Sequence, residues 1–274
     1  MSIKQSNETF LIAEIGWNFL GNLDLAKDMI ISAKKSGANA VKFQVWDPNY
    51  LKDGSWNTDG RLEIYRKAQL DVKKFKELYE FSEKNKIICF TSVFTIRDLK
   101  KIAAVSTKII KIPSHEAYNL ELIDEALKIF DEVIISAGCL KKKELDKLER
   151  YKDDQKVIIL HCVSSYPLKP ENCNFSKFHY LKNIYKKIGY SGHFEGIEDA
   201  IYAITNGAIV VEKHFTTNND LEGRDNKFAL TPDKFIKLRD CANVTRSFLI
   251  DKGLDLQDCE QDIFSNYRGR WDKK

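Results

Sequence analysis

Lys42, Lys111 and Lys213 stand within or at the end of short, mostly apolar runs at 40–44, 108–112 and 209–213. A buried ammonium is costly unless it is paired, so each of these lysines needs an anion. One reading is a set of internal salt bridges with Glu14, Glu116 and Glu212. The other, favoured by the serines close by in sequence, is a site for an anion bearing both phosphate and carboxylate. A Schiff-base lysine is a further chemistry open to such a position, because burial lowers the amine's pKa. His193 and His214 end two successive apolar runs. A pair of imidazoles there can hold a divalent metal, with water and substrate in the other positions. Two ligands alone are thin evidence for a metal, and hydrogen-bonded structural histidines are the commoner case.

Residues scattered this widely need a scaffold that gathers them. Eight short runs rich in Val and Ile read as strands: 10–14, 40–44, 87–91, 108–112, 133–136, 157–161, 188–191 and 209–213. Several lack a polar alternation, as strands of a parallel sheet do when both faces are covered. Helical patterns lie between them. Ala26, Met29, Ile30 and Ala33 repeat at helical spacing ahead of Gly37, and Phe235, Leu238, Ala242 and Leu249 follow Pro232, a proline suited to a first turn. Eight such units in one chain predict an α/β fold, a (β/α)8 TIM barrel forming a single domain over 1–250, with 251–274 as a tail. The competing open doubly wound sheet lacks its G-x-G-x-x-G after the first strand. The aromatic-bearing stretch 46–60 after the second strand is long for a connection and reads as a lid.

The barrel makes position informative, because such enzymes place their chemistry at the C-terminal ends of the strands. Nearly every predicted strand here ends in polar groups: Glu14 with Asn18, Lys42 with Gln44, Thr91 with Ser92, and Lys111 with Ser114 and Glu116. Ser136 follows, then His161 with Ser164 and Tyr166, Ser191 with His193, and Lys213 with His214. Composition excludes other classes. Lys and Arg total 44 against 40 Asp and Glu, a net charge of +4 spread along the chain, which makes no nucleic-acid patch. The basic clusters 141–143 and 273–274 read as solvated faces. No stretch is apolar enough to span a membrane, the start carries no signal-peptide pattern, and the 6 cysteines show no zinc or disulfide spacing. Cys89, Cys139 and Cys162 fall in or beside apolar runs and read as small buried hydrophobes. A reduced, cytoplasmic enzyme with no membrane and no nucleic-acid partner is expected.

Read together, these motifs resemble one family. AEIGWN at 13–18, SGANAVKFQ at 36–44, KIPSHE at 111–116, SAG at 136–138 and LHCVSSYP at 160–167 occur in order. GYSGH at 189–193, EKHFT at 212–216, and GRD at 223–225 ahead of LTP at 230–232 complete a set that is similar to the sialic acid synthases. The resemblance runs from about residue 10 to 250. It implies a transferase of carbohydrate biosynthesis that condenses phosphoenolpyruvate with the open-chain aldehyde of an N-acetylated amino sugar, releasing phosphate. Carried over by position, Lys42, Ser92, Lys111, Ser114, Ser136, Ser164 and Ser191 would surround phosphoenolpyruvate. His193 and His214 would ligate Mn2+ or Mg2+, and Glu14, Gln44, Tyr166 and Asp225 would meet the sugar. Glu14 or Glu116 would handle the proton. A Schiff-base aldolase on Lys111 or Lys213, and a barrel that has lost catalysis and serves as a scaffold, are the alternatives.

The chain departs from the family pattern at several points. Phe19 stands where the family usually has His, which would remove a polar group near the sugar. Gly192 stands where it usually has Asp, beside a metal ligand. Ser164 replaces a frequent Asn. Typical members continue into an antifreeze-like domain whose arginine reaches the partner subunit's site. This sequence ends with NYRGRWDKK at 266–274. The expectation is therefore a homodimer, or a partner chain, with the cover coming from 46–60, from the tail's Arg268 and Arg270, or from another protein.

Overall fold

The computed structural model describes Ile3 and residues 8–271; the basic pair at 273–274 lies outside the described residues. Eight parallel strands form a closed barrel in sequence order. They are β1 (Phe10–Gly16), β2 (Ala40–Gln44), β3 (Ile88–Ser92), β4 (Ile109–Ile112), β5 (Glu132–Ser136), β6 (Val157–Cys162), β7 (Ile188–Gly192) and β8 (Val210–His214). Closure is made by β1 against β8, in register from Phe10↔Val210 to Glu14↔His214. All eight expected strands are present, displaced at their ends by a residue or two.

The twofold side-chain period of a strand sorts each run into two sets. One set, Ile12, Ala40, Phe90, Ile109, Ile134, Ile158, Leu160 and Val210, packs into a small cluster that fills the barrel interior. The other, including Leu11, Ala13, Val41, Phe43, Ile110, Val133, Ile135, Ile159, Tyr190 and Val211, joins the large core between sheet and helices. Ile3 belongs to the inner cluster, and its backbone N–H donates to the Glu132 carboxylate at 2.9 Å. The N-terminal end of the barrel is thereby plugged, and the C-terminal end is left as the mouth.

The helices form where periodicity and caps agree. In Leu23–Lys35, Ala26, Met29, Ile30 and Ala33 are buried, the Asn22 side chain caps the first turn, and Gly37 follows at φ +91°. Pro232–Phe248 buries Phe235, Leu238 and Ala242, but Leu249 lies beyond the helix end and is exposed. The 46–60 stretch is shorter as a free loop than expected. It contains the turns Pro48–Tyr50 and Ser55–Asn57 and leads into a helix, Arg61–Lys67. It is also anchored: the Arg97 guanidinium lies 3.2 Å over the Tyr50 ring and 3.8 Å from Asp47. Trp46 donates its indole N–H to the Tyr65 carbonyl.

Candidate active site

Strand parity decides which polar residues reach the mouth. Continuing the inner set by two residues gives Glu14, Lys42, Ser92, Lys111, Ser136, Cys162, Ser191 and Glu212. Hydrogen bonds join Glu14, Lys42, Ser92, Lys111, Ser191 and Glu212 into one network. Lys42 Nζ lies 2.7 Å from Glu14 Oε2 and 3.7 Å from Glu212 Oε2, and donates to Ser92 Oγ at 3.1 Å. Lys111 Nζ donates to both oxygens of Glu212 at 2.9 and 3.0 Å, and Ser191 Oγ donates to the same carboxylate at 2.9 Å. Gln44 Nε2 donates to Glu14 Oε1 at 2.7 Å. The internal salt bridges expected of Lys42 and Lys111 with Glu14 and Glu212 are present, with the Ser92 and Ser191 hydroxyls beside them.

Burial in this network splits two carboxylates that share two cations. Burial pushes Glu14 up to about 7 against the pull of Lys42, so it exchanges a proton near neutral pH. Burial pushes Glu212 the same way, but Lys111 and Lys42 outweigh it and hold the group at about 2. Burial also lowers the Lys111 ammonium, whereas Glu14 and Glu212 outweigh burial at Lys42 and raise it. Glu212 is the residue whose importance the strand pattern understated. It is the shared counter-ion of the mouth, and its place two residues before His214 was the available signal.

A second group adjoins the network. Ser114 Oγ lies 3.2 Å from Cys162 Sγ. A Cβ added to Gly138 would meet Ser114 Oγ at 2.5 Å and Ser164 Oγ at 2.8 Å, so only glycine lets these hydroxyls approach. Ser136 Oγ is buried and has no hydrogen-bond partner, a donor left over at the end of β5. Cys162 is buried, as its apolar surroundings suggest, but it faces inward. Burial raises its thiol, and His193 together with Ser114 overcomes this to bring it down to about 7.

The histidines form a third group. The His193 and His214 ring centroids are 5.5 Å apart, and the Tyr166 ring lies 4.1 Å from His193, tilted by 49°. His193 Nδ1 lies 2.9 Å from the Val163 carbonyl, so that nitrogen carries a proton; burial lowers the ring's pKa, but Cys162 together with this carbonyl outweighs burial and raises it. His214 Nδ1 is buried without a hydrogen-bond partner, with Asp225 Oδ2 3.8 Å away. Burial holds His214 well below the usual range, in the neutral form a metal requires. Among the described residues no group of three or more His, Cys, Asp or Glu is placed to hold a metal. The two imidazoles fit an open site in which water and substrate supply the remaining ligands. Asp225 accepts from Trp17 Nε1 at 2.5 Å.

Several expected rim residues lie elsewhere. Lys213 has the outward parity; its ammonium pairs with Asp199 at 2.9 Å on the helix side of the sheet, so it is not part of an anion site. His161 also faces outward, packing on Phe175, Phe178 and Tyr190, with Nε2 2.8 Å from the Cys173 carbonyl. Glu116, on the turn Ser114–Glu116, is half-buried, raised by burial and opposed by Lys52 of the 46–60 segment. That places it on the lid side and outside the Glu14–Lys42–Glu212 network. Phe19 is wholly buried against Phe43 at 5.8 Å, so the departure at that position fills the outer core.

A (β/α)8 barrel whose mouth holds paired cations, serine hydroxyls and two imidazoles belongs with the barrel synthases that handle small anionic substrates. The NeuB family model matches residues 29–252, and the chain belongs to that family. It is 32% identical over 245 residues to the N,N'-diacetyllegionaminic acid synthase of Campylobacter jejuni, covering 83% of this chain and 73% of that protein. It is 31% identical over 266 residues to a C. jejuni pseudaminic acid synthase, covering 92% and 78%. The crystal structure of N-acetylneuraminic acid synthetase from Leptospira borgpetersenii, in complex with citrate, superposes with a TM-score of 0.88 at 32% identity, over 98% and 94% of the two chains.

Proposed function

We propose that the protein condenses phosphoenolpyruvate with the open-chain aldehyde of an amino sugar of the N-acetylmannosamine kind, giving a sialic-acid-like 2-keto-3-deoxy acid and phosphate. The observation that carries this reading is the meeting of Lys42 and Lys111 on Glu212 within a ring of serine hydroxyls. An anion with phosphate and carboxylate suits two cations and several neutral donors, and Ser136 Oγ is a donor without a partner. The names of the relatives agree with a nine-carbon acidic sugar as product.

In this reading Lys42, Lys111 and the hydroxyls of Ser92, Ser114, Ser136, Ser164 and Ser191 bind phosphoenolpyruvate and present its enol carbon to the aldehyde. Gln44, Tyr166 and Asp225 orient the sugar. His193 and His214 would hold Mn2+ or Mg2+, whose chemistry when bound is to polarise a carbonyl oxygen. The new bond joins the enol carbon to the aldehyde carbon. Water adds at the cationic carbon and gives up one proton, the aldehyde oxygen takes one up, and the C–O bond to phosphate then breaks as the new hydroxyl passes its remaining proton to the departing phosphate, leaving the 2-keto group. Glu14 is the candidate to move these protons, since it exchanges one near pH 7 and an anion beside Lys42 strengthens its hold on it. Glu116 stays with the lid.

A Schiff-base mechanism needs an unpaired amine. Lys111 is ion-paired with Glu212, and Lys213 faces the helices. The cover over the mouth comes from the anchored 46–60 segment or from the tail of a second copy. Phosphoenolpyruvate is a metabolite of the cytoplasm, and the reaction belongs there. The test is phosphate release from phosphoenolpyruvate with a panel of aldehyde sugars, with and without Mn2+. Sugar-dependent release supports the reading. A borohydride-trapped lysine adduct, or no turnover with any aldehyde, overturns it.

A further inference from the structure

Lys213 and Asp199 form a buried ion pair outside the mouth, with side chains 2% and 3% exposed. The ammonium donates to both Asp199 oxygens at 3.0 and 2.9 Å and to the Phe194 carbonyl at 2.7 Å. Tyr190 OH donates to Asp199 Oδ2 at 3.0 Å. Phe194 immediately follows His193, and Lys213 immediately precedes His214. One ammonium thus ties together the backbones that carry both imidazoles, and Asp199, in the first turn of helix Glu198–Thr205, holds that ammonium in place.

The register explains why the carboxylate comes from a helix. Gly192 is the strand partner of Lys213 and shares its outward face. A Cβ at 192 would lie 2.3 Å from Asp199 Oδ2 and 2.5 Å from the Tyr190 ring, so the Asp199 carboxylate and the tyrosine that donates to it together occupy the space a side chain at 192 would take. We infer that Asp199 is the positioning residue for the His193–His214 pair, supplying through Lys213 the carboxylate that an aspartate at 192 would otherwise supply. The metal-binding half of this inference rests on the reading given above. The geometric half does not.

The test uses the full chain as wild type, Asp199→Ala, Asp199→Asn, Gly192→Asp and the double variant Gly192→Asp/Asp199→Ala. Each is titrated with Mn2+ alone by calorimetry, followed through its histidine ring nitrogens by NMR without metal, and melted. Asp199→Ala should weaken Mn2+ binding by about 10–100-fold, the usual effect of removing an outer partner of a ligand. It should also move the His193 and His214 ring signals while those of His115 and His179 stay in place. Gly192→Asp alone, with two carboxylates crowding one space, should be impaired similarly. The double variant should recover to within about threefold of wild type. Asp199→Asn keeps the shape and loses the charge, so it reads the charge effect if Asp199→Ala does not fold. Wild-type Mn2+ affinity and unmoved ring signals in Asp199→Asn, or a double variant no better than Asp199→Ala, overturn the inference. A wild type that takes up no Mn2+ overturns the metal reading instead, and the ring signals then decide the positioning role alone.

Discussion

Glu14 shows how one side chain acquires a role from its surroundings. Its carboxyl is raised from 4.5 to about 7 by burial, with Lys42 opposing. A folded value above the unfolded one stabilises the protein fully below about pH 4.5, and this contribution is lost as pH rises through about 7. Glu14→Gln should therefore flatten the fall in stability between those limits, read from denaturant midpoints at successive pH values. The same variant should lower kcat by about 100-fold or more while the phosphoenolpyruvate KM changes little, as expected for a proton-transfer group. A slope unchanged from wild type would sink the assignment. Lys111 is different because it is paired to an ionised partner. Lys111→Met leaves Glu212 with Lys42 at 3.7 Å and Ser191, and should cost about 3 kcal/mol by chemical denaturation. It should also raise the phosphoenolpyruvate KM. His214→Ala should abolish Mn2+ uptake while leaving the circular dichroism of the barrel unchanged.

At the scale of elements, the ends of strands and the turns that follow them set the distances. The turn after β5 brings Gly138 under Ser114 and Ser164, and the missing Cβ lets two hydroxyls approach the same point. Gly138→Ala should raise the phosphoenolpyruvate KM by about tenfold with a small change in melting temperature, because the methyl displaces side chains at the surface of the site and not in the core. An unaltered KM would show that these hydroxyls do not touch the substrate. The aromatic residues after β1 to β4 form a linked rim. Trp17 meets Trp46 at 6.0 Å, Trp46 meets Phe94 at 6.4 Å, and Phe94 stacks on His115 at 5.2 Å. This chain of rings, together with Arg97 over Tyr50, anchors the first part of the segment at 46–60.

On the scale of the whole molecule, the two ends of the barrel have different tasks. Helix Pro232–Phe248 starts beside the mouth after β8 and runs back along the barrel. Its last turn reaches Glu8, with which Asn243, Arg246, Ser247 and Ile250 line a cavity of about 300 Å³. Residues 249–271 therefore leave from the end opposite the mouth. Their apolar side chains are exposed, Leu254, Ile263 and Trp271 among them, and Arg268 and Arg270 lie over Phe264 and Tyr267. A tail that starts there lies away from its own mouth, so the cover proposed above would fall on the mouth of a second copy. Removing residues 261–271 should then raise the sugar KM by about tenfold, the worth of one charge-assisted hydrogen-bond pair, and leave the phosphoenolpyruvate KM unchanged. Unchanged sugar kinetics would eliminate the tail and leave the 46–60 segment or a separate protein as the cover. Among the described residues no helix is long and apolar enough to cross a membrane.

The order of apolar runs and helical patterns was sufficient to determine the eight strands, the barrel and the end at which chemistry collects, because each depends on local periodicity. The motifs at 36–44 and 111–116 likewise pointed to Lys42 and Lys111, and those at 189–193 and 212–216 to the two imidazoles of the mouth. Which polar residue faces the mouth depends on strand parity across neighbouring strands, and a run covered on both faces carries no hydrophobic alternation to reveal it. For that reason Lys213 and His161 read as rim residues, whereas the closed barrel turns them toward the helices and turns Cys162 and Glu212 inward. Asp199 lies on a helix and Lys213 on a strand, 14 residues apart, and only packing of that helix on the sheet brings them together. The different hold of Glu14 and Glu212 on a proton was decided later still, since it depends on how two buried carboxylates divide two cations.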